Sequence, residues 1–482
     1  MKINFSFYLF LFVVSFNSFN ISYIVIPFNT HIKEKENQNE EFNIDNFFQN
    51  YFDSQIYIKM NIGTPKKIVP IDLQMNSHGL IIGYLNNNNL KNEDSTYDIN
   101  KTSSFYGDTK SKKYYSSEYP WGYIGKDIIY SYSDINMNPK DEIKLINISF
   151  LYIPKDSENQ KGKICGLLGL TIKGFYYVTE EVGFIKTLKE LNYINKYNFI
   201  FHFTSDTAGF LVLGEEPHNY LPDIYDINNL RKTNVLSDGY SIYGWKIEFT
   251  QIYYYLNDGN KQKISETKTA LFYIENNYII GSRNYKVSIE GNFFNKYLEN
   301  NICRYETDKK SKYEVIICDK NSFDINSFPT LFLYHRIFNY TFKLTKEDLF
   351  MEKNNKYIFL IMFSTYGNNY FTLGKIFLKK YLFIFNSDTK TIGFYNKNFE
   401  NEFEGKEIKE SASSKNKIIG IVIILLACVI GFFLAKKLYE NVRKRRLNEI
   451  NEQYEYKSHE TDNINYDNKD DKKSFIEIPF KT

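Results

Sequence analysis

The 482-residue chain is poor in tryptophan, histidine, proline and cysteine, with 2, 6, 10 and 4 residues of each. It also has little net charge, because 60 Lys and Arg oppose 57 Asp and Glu. Proteins dedicated to nucleic-acid binding usually carry a clear basic excess, so the balance argues against that class. The scattered histidines, and the lack of a Cys-x-x-Cys sequence or a Cys/His cluster, predict no metal site. No phosphate-binding glycine loop occurs either, and we expect no cofactor.

What the chain has in quantity is apolar and aromatic side chains. Hydrophobic residues make up 43% and aromatic residues 18%, including 42 Tyr and 42 Phe. A chain of this hydrophobicity can bury a core and is not wholly disordered. Its richness in Lys, Asn, Ile, Tyr and Phe is typical of AT-rich codons. At about 100–200 residues per domain, the length predicts two to four domains.

The N-terminal region has the pattern of a secretory signal. Lys2 precedes an apolar block at residues 5–16, and a small polar stretch follows. That block is too short for a membrane span. We interpret residues 1–22 as a signal peptide with an uncertain cleavage site, and residues 23–50 as a polar linker or short pro-segment. A buried N-terminal strand or helix is the alternative.

A second apolar block, residues 418–434 (IIGIVIILLACVIGFFL), contains no charge. About 20 apolar residues span the hydrocarbon core, and a tilted helix of about 17–18 can suffice, so the length suits a transmembrane helix. Six basic residues follow within residues 436–446, and positive flanks remain cytoplasmic. The pattern predicts a polar linker at 399–417, a single-pass type I helix at 418–435 and a disordered cytoplasmic tail at 436–482. The N-terminal bulk would lie in the lumen of the secretory pathway or at the cell surface.

Two of the four cysteines form the favoured disulfide. Cys303 and Cys318 are close in sequence across an expected hairpin, in a compartment that permits oxidation. Cys428 falls in the apolar block, which leaves Cys165 free and buried.

Between residues 51 and 398, short apolar runs separated by polar turns indicate an all-β body. Only residues 183–191 and 293–298 have helical spacing. The body is too long for one sandwich, so we expect two β domains. The predicted strands are residues 57–62, 67–73, 123–130, 199–203, 209–213, 243–254, 269–272, 357–362 and 381–385.

Several segments, in a common order, resemble landmarks of pepsin-like aspartic proteases. They are residues 57–65 (YIKMNIGTP), 122–127 (GYIGKD), 166–170 (GLLGL), 198–214, 245–253 and 371–395, with the cysteine pair and residues 329–332 between the last two. The resemblance implies a bilobal all-β fold, with lobes at residues 51–216 and 217–398. The anchored topology and biased composition look most like plasmepsins, the aspartic proteases of malaria parasites.

In that family each lobe supplies one aspartate from an Asp-Thr/Ser-Gly turn, and the two carboxylates share a proton. Counting forward from Pro65 brings the first aspartate position to Gln74, within the sequence Gln-Met-Asn-Ser-His. The second falls on Tyr273, within Tyr-Ile-Glu-Asn-Asn. Gln does not titrate usefully and Tyr has a pKa near 10, so neither replaces the dyad. The family's flap tyrosine falls on Tyr115.

One rescue is a shifted dyad of Asp72 and Glu275. Each lies two residues from its expected position, and a shift of two residues keeps a strand side chain on the same face. The residues after Asp72 do not rebuild the tight turn. The simpler interpretation is that Asp72 is a solvent-side strand residue and Glu275 a loop residue.

These observations favour a membrane-anchored pseudo-protease that binds a peptide or protein partner through the inter-lobe cleft or its surface. The first alternative is an active aspartic-type endopeptidase with a non-standard dyad. The second is a structural surface protein built on the same scaffold. The sequence predicts the membrane as a partner, and neither nucleic acid nor metal.

Overall fold

Alternation of apolar and polar residues builds most of the strands. In the segment Ile56–Ile62 the side chains of Ile56, Ile58, Met60 and Ile62 are buried, while those between them are more exposed. A strand with this period of two buries one face of its sheet. The segment Gly166–Leu170 is instead buried throughout, as expected for a strand covered on both faces.

The computed structural model describes residues 23–30, 56–83, 97–114, 121–154, 166–171, 182–237, 244–256, 258–265, 268–307, 313–364 and 371–396, with Lys437 and Lys444. The first eleven strands are β1 (Ile24–Thr30), β2 (Ile56–Ile62), β3 (Lys67–Gln74), β4 (His78–Gly83), β5 (Tyr106–Tyr114), β6 (Trp121–Tyr132), β7 (Glu142–Ile153), β8 (Gly166–Leu170), β9 (Asn198–Phe203), β10 (Ala208–Leu213) and β11 (Leu230–Asn234).

The remaining strands are β12 (Lys246–Phe249), β13 (Gln251–Tyr255), β14 (Lys261–Ser265), β15 (Lys268–Phe272), β16 (Ile279–Gly281), β17 (Cys303–Thr307), β18 (Tyr313–Asp319), β19 (Leu331–His335), β20 (Tyr340–Leu344), β21 (Phe350–Lys353), β22 (Lys356–Phe359), β23 (Ile361–Ser364), β24 (Phe371–Leu373), β25 (Phe383–Asn386) and β26 (Thr391–Tyr395). They form three sheets with the earlier strands. The orders are β11-β26-β25-β9-β10-β1-β2-β3-β8-β4-β7-β6-β5, then β12-β15-β24-β16-β23-β18-β22-β21 with β17 on β18, then β14-β13-β19-β20.

Helices are short. They are α1 (Phe184–Glu190), α2 (Pro217–Tyr220), α3 (Arg283–Ile289), α4 (Asn295–Glu299), α5 (Lys346–Leu349) and α6 (Lys375–Lys380), with a π-helical stretch at Glu290–Phe294. Both segments with helical spacing contain a helix, α1 and α4. The run predicted as one strand at 243–254 divides into β12 and β13, and the run at 357–362 into β22 and β23. Tyr381, predicted to begin a strand, instead caps α6.

The fold is mostly β and bilobal, and one sheet joins the lobes. Strand β9, late in the first lobe, pairs with β25, late in the second, and Phe199 lies opposite Phe385. Behind this pair the buried indole of Trp245 donates a hydrogen bond to the Leu170 carbonyl at 2.8 Å. A hydrophobic core that contains residues of both lobes packs against the joint. These contacts between the lobes therefore fix the turns that follow β3 and β15 relative to each other.

A group of charges around the buried Glu216 connects the two lobes at the same joint. Glu216, which follows β10, accepts hydrogen bonds from Lys196 of the first lobe at 3.1 Å and Lys232 of the second at 2.5 Å. Burial alone would raise the pKa of Glu216, but the hydrogen bonds and charges of the two lysines lower it overall. Buried carboxylates are tolerated when paired in this way.

Part of the range predicted as a linker or pro-segment has a defined place. Strand β1 lies between β10 and β2, and Ile24 and Phe28 are fully buried. The alternative of a buried strand or helix at residues 5–16 lies outside the described residues.

Residues 1–22 and 418–435 lie outside the described residues, so the signal peptide and membrane span stay predictions. Within the described ranges, no helix has the length and apolarity that crossing a bilayer requires. In the tail predicted as disordered, Lys437 and Lys444 are helical.

The predicted disulfide between Cys303 and Cys318 is confirmed. The two cysteines lie directly opposite each other on β17 and β18, and the sulfurs are bonded. Cys165 and Cys428 lie outside the described residues.

Replacing both bridged cysteines by alanine should lower the free energy of unfolding by about 3 kcal/mol, because the bridge closes a loop of 15 residues in the unfolded chain. Urea unfolding of the Cys303→Ala/Cys318→Ala variant measures the change. Treating the wild-type protein with a reductant should reproduce it, and the variant should not respond. Equal stability of wild type and variant would contradict the expectation.

Candidate functional site

Two equivalent turns lie at the centre of the molecule. In the first lobe β3 runs parallel to β8, β8 antiparallel to β4, and β4 parallel to β7. In the second lobe β15, β24, β16 and β23 repeat this order and these directions. Gln74 ends β3 opposite Gly169, and Tyr273, beside Gly374, follows β15. The repeat therefore gives Gln74 and Tyr273 equivalent positions.

A glycine lies behind each turn. A Cβ atom added to Gly169 would lie 2.3 Å from the His78 nitrogen, and one added to Gly374 would lie 2.2 Å from the Tyr278 carbonyl oxygen. Real side chains do not tolerate such distances. The turn backbones thus pack tightly against both glycines, although neither turn contains a glycine of its own.

The carboxylate of Glu275 crosses from the second turn to the first. Its Oε1 accepts hydrogen bonds from the backbone N–H of Met75 at 2.7 Å and of Asn76 at 3.4 Å. Its Oε2 is buried without a hydrogen-bond partner among the described residues. Within the first turn, the Ser77 hydroxyl donates to Oε1 of Gln74 at 2.5 Å. Glu275 is therefore a bridge between the lobes rather than an exposed loop residue.

The environment of Glu275 disfavours its charge. Burial raises the pKa of the carboxyl to about 7, while the two backbone donors and the charge of Lys375 act in the opposite direction. Lys375, at the start of α6, is almost completely buried. Burial lowers its pKa to about 7, and Glu275 opposes that shift. The two groups form a buried pair of opposite charge in which each supports ionisation of the other.

Asp72 lies on the same face of β3 as Gln74, two residues earlier, and is partly buried. Burial raises the pKa of its carboxyl to about 7, with no contribution from Glu275 or another described group. In a dyad each carboxylate strongly shifts the pKa of the other. The structure brings Gln74 and Glu275 together around the first turn, through the hydrogen bonds of Ser77 to Gln74 and of Met75 to Glu275.

Comparison with known proteins agrees with this architecture. The family model of eukaryotic aspartyl proteases matches residues 55–397. The chain belongs to this family. No curated protein matches the chain. Among solved structures, basic 7S globulin from soybean is similar, with a TM-score of 0.52, 11% identity, and coverage of 78% of this chain and 95% of that one. Conglutin gamma, a unique basic 7S globulin from lupine seeds, is similar with a TM-score of 0.53, 13% identity and the same coverage.

Tyr273 lies in the second turn, at the position equivalent to that of Gln74 in the first. Burial and the nearby charge of Glu275 raise the pKa of its hydroxyl, and a hydrogen bond from the Asn76 side chain opposes the shift. The hydroxyl thus stays protonated at acidic and neutral pH. Among the residues of the two turns, Glu275 alone carries a carboxylate.

Other predicted site features have mixed outcomes. Tyr115, the flap position, lies outside the described residues, although β5 and β6 form the hairpin on either side of it. In the described part of the chain, no group of three or more His, Cys, Asp or Glu could hold a metal ion. Sequence reasoning did not predict the electrostatic interaction of Lys375 with Glu275. The sequence feature that could have indicated it is Lys375 itself, which follows Leu-Gly where the resemblance predicts an aspartate.

The raised pKa of Glu275 predicts a stability that falls as pH rises. The unfolded carboxyl titrates near 4.5 and the folded one near 7. Between these values the folded state binds more protons, so stability is lost as pH increases through this window. In the Glu275→Gln variant, the fall in the free energy of unfolding across this window should be smaller by about 3 kcal/mol. Urea unfolding from pH 4.5 to 8 measures both curves.

Asp72→Asn should also reduce the loss of stability with rising pH, because burial raises the pKa of the Asp72 carboxyl as well. The matched control is Glu190→Gln, since the Glu190 side chain is 59% exposed and its loss should leave the slope unchanged. Parallel curves for wild type and Glu275→Gln would contradict the assignment.

Proposed function

We propose that this chain is a membrane-anchored, non-catalytic member of the aspartyl protease family. In this proposal it binds a peptide or protein partner through the inter-lobe cleft or its surface. The observation that carries the proposal is the contact of Glu275 with the first turn. The one carboxylate within the two turns is engaged as a hydrogen-bond acceptor for Met75 and Asn76.

The chemistry of the dyad supports this proposal. Pepsin-like hydrolysis needs two carboxylates, about 3 Å apart, that share a proton and act as base and acid. The equivalent positions hold Gln74, which does not titrate usefully, and Tyr273, whose pKa is raised above 10. Losing one general base costs about 10²- to 10⁴-fold in rate, and losing both costs more.

Structural features around the two turns support a binding role. The β5–β6 hairpin and both turn-backing glycines remain, so the parts that frame a cleft persist without the catalytic pair. The two similar solved structures are named as globulins rather than proteases. The plasmepsin-like character, the signal peptide and the anchor at residues 418–435 come from the sequence, and they give the proposal its lumenal or cell-surface location.

A degenerate peptide library tests catalysis and binding together. Full-length protein, immobilised and incubated with the library at pH 4–7, should retain a subset of peptides that mass spectrometry recovers intact. Asp72→Asn and Glu275→Gln variants should recover no fewer intact peptides than wild type. Pepstatin-sensitive cleavage that either substitution abolishes would overturn the non-catalytic assignment. Retention of no peptide would overturn binding through the cleft.

An active enzyme with an Asp72/Glu275 dyad is the second candidate. Burial raises the pKa of both carboxyls to about 7, and perturbed carboxyls cluster at catalytic sites. Against it stand the bonds of Glu275 to the backbone of the first turn. The cleavage arm of the library experiment decides between the two candidates.

A further inference from the structure

Asn396, the last described residue of the second lobe, is hydrogen-bonded to two surface turns. Its backbone N–H donates to the Asn229 carbonyl at 2.8 Å, and its side-chain amide donates to the carbonyls of Phe338 at 3.2 Å and Asn339 at 3.3 Å. The first turn, residues 226–229, leads into β11, and the second, residues 336–339, joins β19 to β20. We call these two turns the exit face, because Asn396 is where the chain passes from the second lobe to the predicted linker.

Each turn of the exit face carries an exposed isoleucine. Ile227 is 58% exposed and Ile337 is 60% exposed. Apart from Val287, at 66%, no other Ile, Leu or Val in the described ranges is as exposed. Single exposed apolar side chains are ordinary on a protein surface. Here two of the three most exposed ones lie on the turns that hold Asn396, from which the chain continues to the apolar block at residues 418–434.

Hydrogen bonds fix both turns in place. The side chain of Asp226 accepts a bond from the Asn228 N–H at 2.9 Å in the first turn. Beside the second turn, Nδ1 of the buried His335 accepts a bond from the Phe338 N–H at 3.1 Å, and the Phe338 ring is fully buried. Ile337 is thus next to a core residue while its own side chain is in solvent. Packing within the lobe does not account for an isoleucine at this position.

The charged groups of the exit face are balanced. Arg231, which donates a hydrogen bond to a carbonyl of the first turn at 2.8 Å, and Arg336 in the second turn are both exposed. Asp223 and Asp226, at or near the first turn, are exposed as well. Apolar side chains among balanced charges suit the boundary between the headgroups and the acyl chains of a zwitterionic lipid bilayer. A strongly anionic partner would favour a basic surface instead.

We propose that the exit face lies against the bilayer that anchors the chain, with Ile227 and Ile337 touching the acyl chains next to the headgroups. This inference rests on the proposed anchoring at residues 418–435. Residues 397–417 put 21 residues between Asn396 and the apolar block. A flexible chain of that length has an end-to-end distance of about 25 Å. Such a tether gives the exit face a high effective concentration at the bilayer, so that two apolar side chains suffice for contact.

Tryptophan fluorescence of the full-length protein tests this contact, because the chain has only 2 Trp and the background is small. Ile227→Trp and Ile337→Trp variants are placed in phosphatidylcholine nanodiscs, either plain or brominated near the headgroup end of the acyl chains. Wild-type emission is subtracted. Bromine quenches an indole at close range, and side chains at this boundary lie about 5–10 Å deep, so the added emission should fall about twofold or more in brominated discs.

The matched control is Val287→Trp, since Val287 is the more exposed aliphatic residue and its helix α3 packs against β14 and β23. Its emission should be the same in plain and brominated discs. Adding Ile227→Glu to Ile337→Trp should restore the emission in brominated discs, because a charge resists entry into the acyl region. Adding Val287→Glu to Ile337→Trp should leave the quenching unchanged. Circular dichroism establishes that each variant is folded.

The outcomes separate this contact from the anchoring itself. In protein that co-elutes with the discs, quenching of the exit-face variants no greater than that of the Val287→Trp variant would overturn the contact alone. A blue-shifted emission without quenching would mean that the linker or a second copy covers the isoleucines, and it would overturn the lipid assignment. Failure of the full-length protein to co-elute with the discs would overturn the proposed anchoring and this inference with it.

Discussion

The hydrogen bonds from Met75 and Asn76 to the Glu275 carboxylate are the interaction on which the centre of this molecule depends. Both donors are backbone groups of a turn packed tightly between the lobes. Without an acceptor, the N–H of the buried Met75 would cost about 1–3 kcal/mol, whereas Asn76 is exposed and its N–H can reach water. Here a carboxylate from the second lobe connects the two turns. In the proposed non-catalytic role, the same bonds would keep Glu275 from acting as a general base.

The frame around the turns does not depend on catalysis. The pairing of β9 with β25, the hydrogen bond from Trp245 to Leu170 and the charges around Glu216 all hold the lobes together away from the turns. Gly169 and Gly374 preserve the close packing behind each turn. The proposed absence of a catalytic pair is compatible with family membership, since catalysis needs two particular side chains and the fold relies on many contacts.

Much of the fold could be predicted from local pattern. Short apolar runs located β2, β3, β9 and β10 to within one residue at each end, and β3 extends to Gln74, one residue beyond the predicted strand. Strand β1 escaped prediction because its apolar run lies close to the signal-like block and is followed by polar residues. The bridge from Glu275 left no sequence signal, because it joins groups 200 residues apart and its partners are backbone atoms. From the sequence alone, a carboxylate two residues from the expected aspartate position does not show whether it bonds to the other lobe or faces solvent.

Calorimetric titration with pepstatin at pH 5 is the most direct test of whether the two turns lack a proton-sharing carboxylate pair. Pepstatin is an inhibitor directed at the pepsin-like dyad, and binding is measured without any need for turnover. If, as proposed, Gln74 and Tyr273 occupy the two aspartate positions, full-length protein should show no saturable heat of binding at micromolar concentrations. Saturable binding that is lost in both Asp72→Asn and Glu275→Gln would contradict the claim and establish a shifted dyad.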